Sequence, residues 1–247
     1  MYDAAETISE THWQPFVWLG IEHPFFMIEK DPIIYTWIIL GILVIALLPT
    51  RWLLRKKFSI PRYLILSFTE TFVDIVKQAL GYFSFNHFVF ITALFIFIFT
   101  SNTIALVPWM KEPTENINTT LALGIISFIY IQVYGIKAHG IKEYIKEYFS
   151  PIFLMFPLHV IGKLASIISI SFRLFGNIFG GGIICQTYFN TIQTSPLLQT
   201  IGLFTGLNFL ILMFFVMFEG FLQAFVFTML SATYLSIAVQ KEEKETK

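Results

Sequence analysis

Residues 166–182 read SIISISFRLFGNIFGGG and place one arginine, Arg173, inside a long apolar segment. Across residues 148–218, only Lys163 and Arg173 carry a formal charge. An arginine at membrane depth costs about 2.5–3.5 kcal/mol on insertion scales. The sequence therefore predicts a function for this charge, because helix packing alone does not need one.

The composition indicates a membrane protein that crosses the bilayer several times. Hydrophobic residues make up 56% of the 247 positions and charged residues only 13%, whereas soluble domains carry about 25%. The zero net charge gives no indication of a nucleic-acid partner. A single cysteine, Cys185, excludes an internal disulfide and a thiolate metal cluster. No phosphate-binding glycine loop, zinc-ligand spacing or Ser/His/Asp arrangement is readable, so we predict neither a cofactor nor a metal.

Apolar runs and charge clusters predict one integral membrane domain. Its predicted parts are an outer N-terminal segment at 1–32, a first span at 33–49, an inner surface helix at 58–80, spans at 82–110 and 117–136, and long helices at 151–190 and 195–240. The last two runs are about twice the length that a perpendicular span needs, so they are tilted or lie partly along the membrane. We expect an all-α membrane protein with five membrane-embedded helical elements, the last two long, tilted and antiparallel, plus short amphipathic surface helices.

The distribution of positive charge predicts the orientation. This arrangement puts 12 of the 16 Lys and Arg residues on the inner side, with Lys30 and Lys111 outside and Lys163 and Arg173 in the membrane. By the positive-inside rule the N-terminus lies outside and the C-terminus inside.

One face of the predicted helix at 151–190 is polar. At 100° per residue, five side chains fall within about 80° of one another, with Ser169 at the edge of the stripe. The five are His159, Lys163, Ser166, Arg173 and Asn177. A polar seam that only joins helices is the alternative interpretation, but the permanent charge of Arg173 favours an ion path.

The last predicted helix carries a second polar face, formed by Thr205, Asn208, Glu219 and Gln223. Glu219 is the only acidic residue between Glu147 and the C-terminal tail. Two interpretations stay open. Glu219 either neutralises Arg173 or Lys163, or it exchanges protons in a hydrated pocket, where burial and nearby cations set its protonation.

Four separated motifs occur in one order along the chain. They are SNTIALVP at 101–108, PTENINTTLAL at 113–123, SFRLFGN at 171–177 and LQAFVFTMLSATYLS at 222–236. Together they resemble subunit a of the F-type ATP synthase membrane sector. The resemblance implies a non-catalytic, ion-translocating stator subunit with no ATP chemistry of its own. Its partners would be the rotating ring of c subunits, b-type peripheral stalk subunits, the remaining ATP synthase, the lipid bilayer and protons, with Na⁺ an open alternative.

The resemblance also implies roles for the matched residues. Arg173 matches the essential arginine that faces the ring, and Asn177 and Gln223 match polar residues near it. Asn102 matches a residue of the outer access path, and Ser169 matches a serine of the inner one.

We assign residues to two offset aqueous half-channels on this basis. The outer half-channel comprises Asn102, Asn177, Asn208, Glu219 and Gln223, and the inner one His159, Lys163, Ser166 and Ser169. The sequence departs from the family pattern at Gly182, Val216 and His159, where many members carry ionisable side chains. Which groups relay protons is therefore open, and Glu219 is a candidate to replace the missing group at Val216.

Two other function classes remain in competition. A secondary transporter or channel would use Arg173 to bind an anionic substrate, and a purely structural scaffold would tolerate Arg173→Leu. The motifs favour a bacterial inner membrane, and an organellar inner membrane, such as that of mitochondria, is the alternative location.

Overall fold

The computed structural model describes residues 12–13, 28–55, 59–107, 110–149 and 152–240. Most of the predicted N-terminal segment at 1–32 lies outside these residues, as do the C-terminal tail at 241–247 and the predicted helix start at Pro151. Two short strands, β1 (His12–Trp13) and β2 (Ile28–Glu29), pair antiparallel.

The described part of the chain is otherwise helical. Its α-helices are α1 (Lys30–Leu47), α2 (Thr50–Arg55), α3 (Ile60–Leu80), α4 (Phe85–Thr103), α5 (Ile117–His139), α6 (Ile141–Tyr148), α7 (Phe156–Gln193), α8 (Pro196–Phe204), α9 (Leu207–Leu212) and α10 (Glu219–Val239). Short 3₁₀ helices occupy Ile104–Leu106, Pro113–Glu115 and Phe153–Met155, and a π-helix at Met213–Phe218 joins α9 to α10.

Five described helical stretches are long and apolar enough to cross a membrane. They are Lys30–Arg55, Phe85–Leu106, Ile117–His139, Phe153–Gln193 and Leu207–Val239. The prediction of an all-α membrane protein with five embedded helical elements is thereby confirmed. At 1.5 Å per residue, the 38 residues of α7 extend about 57 Å, well beyond a hydrocarbon core of about 30 Å.

Local sequence signals set the ends of the helices that surround the core. The Ser59 side chain accepts a hydrogen bond from the Arg62 backbone N–H at the start of α3, and Gly81 ends it at φ +79°. The Asn116 side chain caps α5 in the same way, and Gly140 follows its last residue at φ +83°. Side-chain caps satisfy free N–H groups, and glycine adopts positive φ without a Cβ clash.

The buried core lies where α3, α4, α5, α7 and α10 meet. Its members are apolar side chains such as Phe72, Phe95, Leu174 and Phe227, each at most 6% exposed. Helices α5 and α7 approach closely because Gly124 has no side chain, and a Cβ there would collide with Ser171 Oγ. This packing fixes which face of α7 is buried.

Helices α7 and α10 run antiparallel. The early α7 residues Ile167 and Ile170 share a cavity with the late α10 residue Ile237. The later α7 residue Gly181 lies against Glu219, the first residue of α10. The long final pair is therefore antiparallel, as predicted.

The structure differs from the sequence prediction in the stretch 195–240. One continuous helix was expected, but the backbone breaks at 205–206, between α8 and α9. Gly206 adopts φ +68°, a conformation that stops an α-helix and that glycine accepts readily. The membrane-length part of this stretch begins at Leu207, after the break.

Candidate functional site

Arg173 lies on the exposed face of α7. Ser169 and Asn177, one turn away on either side, are exposed with it. Gly176 and Gly180 share this region, and a Cβ built on either would have no neighbouring atom within 4 Å. The buried residues of α7 lie on its other side: Ile170, Ser171, Leu174, Ile178 and Gly181. The packing of the described residues therefore leaves the arginine side of this helix uncovered.

The surroundings of the Arg173 guanidinium decide whether a described residue neutralises it. Within the described ranges, it makes no hydrogen bond and no ion pair. Arg173 and Glu219 therefore make no contact that would support neutralisation of the arginine by this acid. Among the described residues, the guanidinium is therefore both exposed and unpaired.

The side chains assigned to the inner half-channel separate into two groups. Lys163 and Ser166 line a cavity of about 260 Å³ between α5, α6, α7 and α10, which we call the Lys163 cavity. Ser169 lies outside it, on the exposed face of Arg173. His159 Nδ1 lies 3.0 Å from the Tyr148 carbonyl oxygen, so the ring is held near the start of α7.

Two tyrosines of α6 hold Lys163. Its Nζ donates to Tyr148 Oη at 2.7 Å and to Tyr144 Oη at 3.1 Å. The same ammonium lies 4.0 Å from the Tyr148 ring centroid and 4.7 Å from that of Tyr144, within range of a cation–π interaction. The hydroxyls of Tyr144 and Tyr148 both donate to Gln132 Oε1. The Tyr148 Oη lies 3.1 Å from that oxygen. The surface helix α6 is thus tied to α5 and α7 through one charge.

Glu219 lines a second cavity of about 250 Å³, which we call the Glu219 cavity. Two further carboxylates line it, Glu112 and Glu115, both from the connection between α4 and α5. Burial, followed by the negative charges of Glu115 and Glu219, raises the pKa of Glu112 from 4.5 to about 8. Three acids thus line one small cavity, and Glu112 keeps its proton at neutral pH.

A glycine makes room for Glu219 against α7. A Cβ on Gly181 would lie 3.0 Å from Glu219 Oε2 and 3.1 Å from Phe215 Cδ1, tighter than an ordinary contact. Glu219 also follows directly after the π-helix Met213–Phe218. Segments of π-helix are rare and occur often at functional sites, because they redirect the side chains that follow.

Asn102 makes a structural contact. It is fully buried, and its Nδ2 donates to the Gly220 carbonyl oxygen at 3.1 Å. Its Oδ1 accepts from Thr114 Oγ1 at 2.7 Å. The amide therefore joins α4, α10 and the connecting segment, and it does not belong to the lining of the Glu219 cavity.

The other predicted outer residues are also separate from that cavity. Asn208 Oδ1 accepts a hydrogen bond from Tyr188 Oη at 2.8 Å, near the far end of α7. Gln223 is buried on α10, 7% exposed, and Asn177 is exposed beside Arg173. Of the five residues assigned to the outer half-channel, only Glu219 lines the Glu219 cavity.

Sequence reasoning missed four residues that line these cavities, Glu112, Glu115, Gln132 and Tyr144. It also missed Tyr148, which contacts Lys163. For the first two, the available signal was a pair of acids in the short segment between two spans. The aromatic pair was visible only as part of an amphipathic surface helix. In the part of the chain that the structure describes, no group of three or more His, Cys, Asp or Glu side chains could hold a metal ion.

Comparisons with known proteins agree with this architecture. A family model described as ATP synthase A chain matches residues 33–236. The chain is 31% identical over 227 residues to ATP synthase subunit a 2 of Picosynechococcus sp., covering 89% of this chain and 90% of that protein. It is 35% identical over 208 residues to ATP synthase subunit a of Moorella thermoacetica, covering 83% and 88%.

A third relative covers a similar share. ATP synthase subunit a of Geotalea uraniireducens is 35% identical over 218 residues, which cover 85% of this chain and 88% of the relative. The family match spans all five candidate membrane helices apart from the first three residues of α1 and the last three of α10. With its five apolar helices and its exposed arginine, this chain is a multi-pass membrane protein of the ATP synthase subunit a family.

Proposed function

We propose that the chain is the ion-translocating stator subunit of an F-type ATP synthase, and that Arg173 faces a rotating ring of c subunits. The observation that carries the proposal is the exposed guanidinium, unpaired among the described residues, on a side of α7 where a Cβ on Gly176 or Gly180 would meet no described atom within 4 Å. Small residues on a helix face let a neighbouring helix approach closely in a membrane. A ring of helices is a partner that this face fits.

Arg173 then acts as a fixed positive charge. Arginine stays protonated at any working pH. When a ring carboxylate comes within about 4 Å, an effective dielectric of 20 gives an attraction of about 4 kcal/mol for its ionised form. The carboxylate must release its proton there before it passes, and the same charge repels a proton that would cross directly. Each charge that moves across the membrane gains about 2.3 kcal/mol per 100 mV, which drives the ring.

The Glu219 cavity is our candidate for the outer half-channel. Glu219 lies against α7 at Gly181, eight residues beyond Arg173, which is about 12 Å along the helix. Glu112 and Glu115 contribute from the segment that enters α5. We assign to these two residues the capture of protons and to Glu219 their delivery towards the ring. Asn177 and Gln223 remain candidate polar neighbours of the transfer point, and Asn102 and Asn208 hold helices together.

The inner half-channel would reach Arg173 from the other end of α7. Ser166 lines the Lys163 cavity and points, by helical geometry, within about 20° of Arg173. Ser169 lies between the two along the exposed face, and His159 lies nearer the inner surface. The path would pass these groups without meeting the outer cavity, so that a proton has to travel with the ring.

The assembly and the orientation follow from the same proposal. The subunit would bind the c-ring and b-type peripheral stalk subunits in a bacterial inner membrane, with the N-terminus outside and the C-terminus inside. An organellar inner membrane is the alternative location. The transported ion is H⁺, or Na⁺ if the ring supplies a sodium-binding carboxylate.

A transporter that binds an anionic substrate at Arg173 is the second candidate, and the geometry favours it less. Such a protein needs an internal binding cavity that contains the arginine. Neither the Lys163 cavity nor the Glu219 cavity is lined by Arg173. Reconstitution of the purified chain alone separates the two functions, because subunit a without its ring should conduct nothing.

The decisive variant is Arg173→Ala in the assembled enzyme. We expect proton-driven ATP synthesis to fall below detection while the complex still assembles, because no other charge on this face can deprotonate the ring. ATP synthesis in energised membrane vesicles is the measurement, with the amount of subunit a in the purified complex as the control. Substantial synthesis by the variant would reject the proposal.

A further inference from the structure

Helix α7 packs on α5 at a narrow contact just before Arg173. A Cβ built on Gly124 would overlap Ser171 Oγ, and it would lie 3.1 Å from Ile167 Cγ2 and 3.4 Å from the Ile167 carbonyl oxygen. Ile167 and Ser171 are one helical turn apart, so Gly124 faces a single turn of α7. Both Gly124 and Ser171 are buried, and the serine is 0% exposed. Helix α5 therefore approaches the backbone of α7 closely at one glycine.

This contact depends on small volume and not on a hydrogen bond. Among the described residues, the Ser171 hydroxyl has no hydrogen-bond partner. Burying an unpaired hydroxyl costs free energy, so polarity does not explain a serine at this position. Rotation of the hydroxyl would relieve only part of the overlap with a Cβ at residue 124, because Ile167 Cγ2 lies 3.1 Å from the same point. A larger side chain at either position would therefore move the two helices apart.

The same turn of α7 carries Arg173. Residues 171 and 173 are about 200° apart around the helix and about 3 Å apart along it, so their side chains point to nearly opposite sides. Ser171 is buried and Arg173 is exposed, in agreement with this geometry. Helix α7 is continuous from Phe156 to Gln193, so no break between the two residues can absorb a displacement. Moving α7 away from α5 at Ser171 therefore carries Arg173 outward by the same distance.

We propose that Gly124 and Ser171 are positioning residues that set the distance between Arg173 and the ring of c subunits. Charge attraction depends on distance, so an approach from about 5 Å to about 4 Å strengthens it by about a quarter at an effective dielectric of 20. The same approach would press α7 against a closely packed neighbour. The identity of that neighbour rests on the proposed function, whereas the packing of α7 on α5 is a property of this chain.

An exchange of side-chain size between the two helices tests the packing in the assembled ATP synthase. Gly124→Ala should lower ATP synthesis in energised vesicles at least about fivefold, because α7 is pushed onto the ring. Adding Ser171→Gly to Gly124→Ala moves the free volume to the other helix, and synthesis should return to within about twofold of the native rate. Ser171→Ala should keep the native rate, because it adds no volume. Gly162→Ala is the control on α7, since a Cβ there meets no described atom within 4 Å.

A second combination tests whether the displacement reaches the ring. Gly180 lies within about 20° of Arg173 around the helix, and a Cβ there also meets no described atom within 4 Å. Gly180→Ala alone should lower synthesis no more than about twofold. Together with Gly124→Ala, it should lower synthesis at least about threefold more than the product of the two single effects, because both substitutions narrow the same gap. Together with Gly162→Ala, the effects should simply multiply.

Ser171→Thr is the milder variant, because it adds one methyl group to the same contact. It should lower synthesis about threefold per assembled complex, with the amount of subunit a in the purified complex as the control for every variant. Native synthesis by both Gly124→Ala and Ser171→Thr would overturn the positioning role, and so would a loss that Ser171→Gly does not rescue. Effects of Gly124→Ala and Gly180→Ala that only multiply would show that this contact does not set the distance to the ring. The proposed function would stand in each of these cases, since it is decided by Arg173→Ala.

Discussion

Gly180 and Gly181 are neighbours in the sequence, yet they lie on different faces of α7. A Cβ on Gly180 would meet no atom within 4 Å, whereas a Cβ on Gly181 would press on Glu219 and Phe215. The first glycine therefore lies on the surface where we propose that the ring packs, and the second makes room for the Glu219 side chain. A run of glycines that looks uniform in the sequence thus serves two separate purposes, and each can be tested alone.

The largest effect in this comparison should come from Gly180→Leu. A Cβ at Gly180 meets no described atom, but a leucine side chain would fill the gap where we place the ring. Overpacking of this kind costs about 1–3 kcal/mol, or roughly 5- to 150-fold in rate. ATP synthesis in vesicles should fall by that factor while the subunit inserts normally. Gly41→Leu is the control, since Gly41 on α1 also has free space around its Cβ position. Normal ATP synthesis by the Gly180→Leu variant would show that the ring does not pack against this face of α7.

Glu219→Gln tests the acid that packs against Gly181 of α7. Removing a proton-transfer group lowers rates by 10²–10⁴ in many enzymes, but Glu112 and Glu115 remain in the same cavity, so we expect a loss of about tenfold. The measurement is passive proton flux from the outer side through the membrane sector after removal of the catalytic head. Unchanged flux would reduce Glu219 to a packing residue.

Gly181→Ala tests whether the exact position of Glu219 matters, and we expect a smaller loss of proton flux than with Glu219→Gln. The added methyl group would lie 3.0 Å from Glu219 Oε2, so the carboxylate has to shift by a few tenths of an ångström. We expect passive outer proton flux to fall by about threefold, the result of a misplacement cost of under 1 kcal/mol. Gly182→Ala is the matched control, because its Cβ would lie at an ordinary 3.8 Å from Glu115 Oε1. Equal effects of the two substitutions would mean that Glu219 tolerates displacement.

The sequence predicted the polar face of α7 that carries Arg173, but only part of the face that packs against Glu219. Arg173 and its polar stripe were recognisable because helical periodicity and a lone charge in an apolar run are local signals. The spans followed from hydropathy and the spacing of Lys and Arg. The break at Gly206 did not follow, because a single glycine in an apolar run is also tolerated inside a helix. Only the backbone shows that it takes a positive φ there.

Both cavities depend on contacts between residues far apart in the sequence. Glu112 meets Glu219 only because the segment between α4 and α5 folds over the start of α10, where Thr114 and Gly220 share the amide of Asn102. Lys163 meets Tyr144 and Tyr148 only because α6 turns back onto α7. Asn102 illustrates the same limit, since a polar side chain in a span has the same appearance in the sequence whether it lines a channel or joins two helices.

The smallest expected effect concerns Glu112, which lies in the same cavity as Glu219 but outside the membrane spans. Its pKa, raised from 4.5 to about 8 by burial and by Glu115 and Glu219, keeps it protonated at neutral pH, and it loses its proton as the pH rises through about 8. If it captures protons, passive flux should fall above outer pH 8 in the native chain. Glu112→Gln should remove this step from the profile and lower the flux about twofold below pH 8, because an amide cannot take up and release a proton.

Two other charged groups face the same cavity, Glu115 and Lys111, so the profile needs a matched comparison. Lys111→Gln should move the step to a higher pH, because loss of a nearby cation makes ionisation of Glu112 less favourable. A profile with the same step in the Glu112→Gln variant would assign the titration to another group. Glu115 would then be the acid left to capture protons for Glu219, whose position against α7 depends on Gly181.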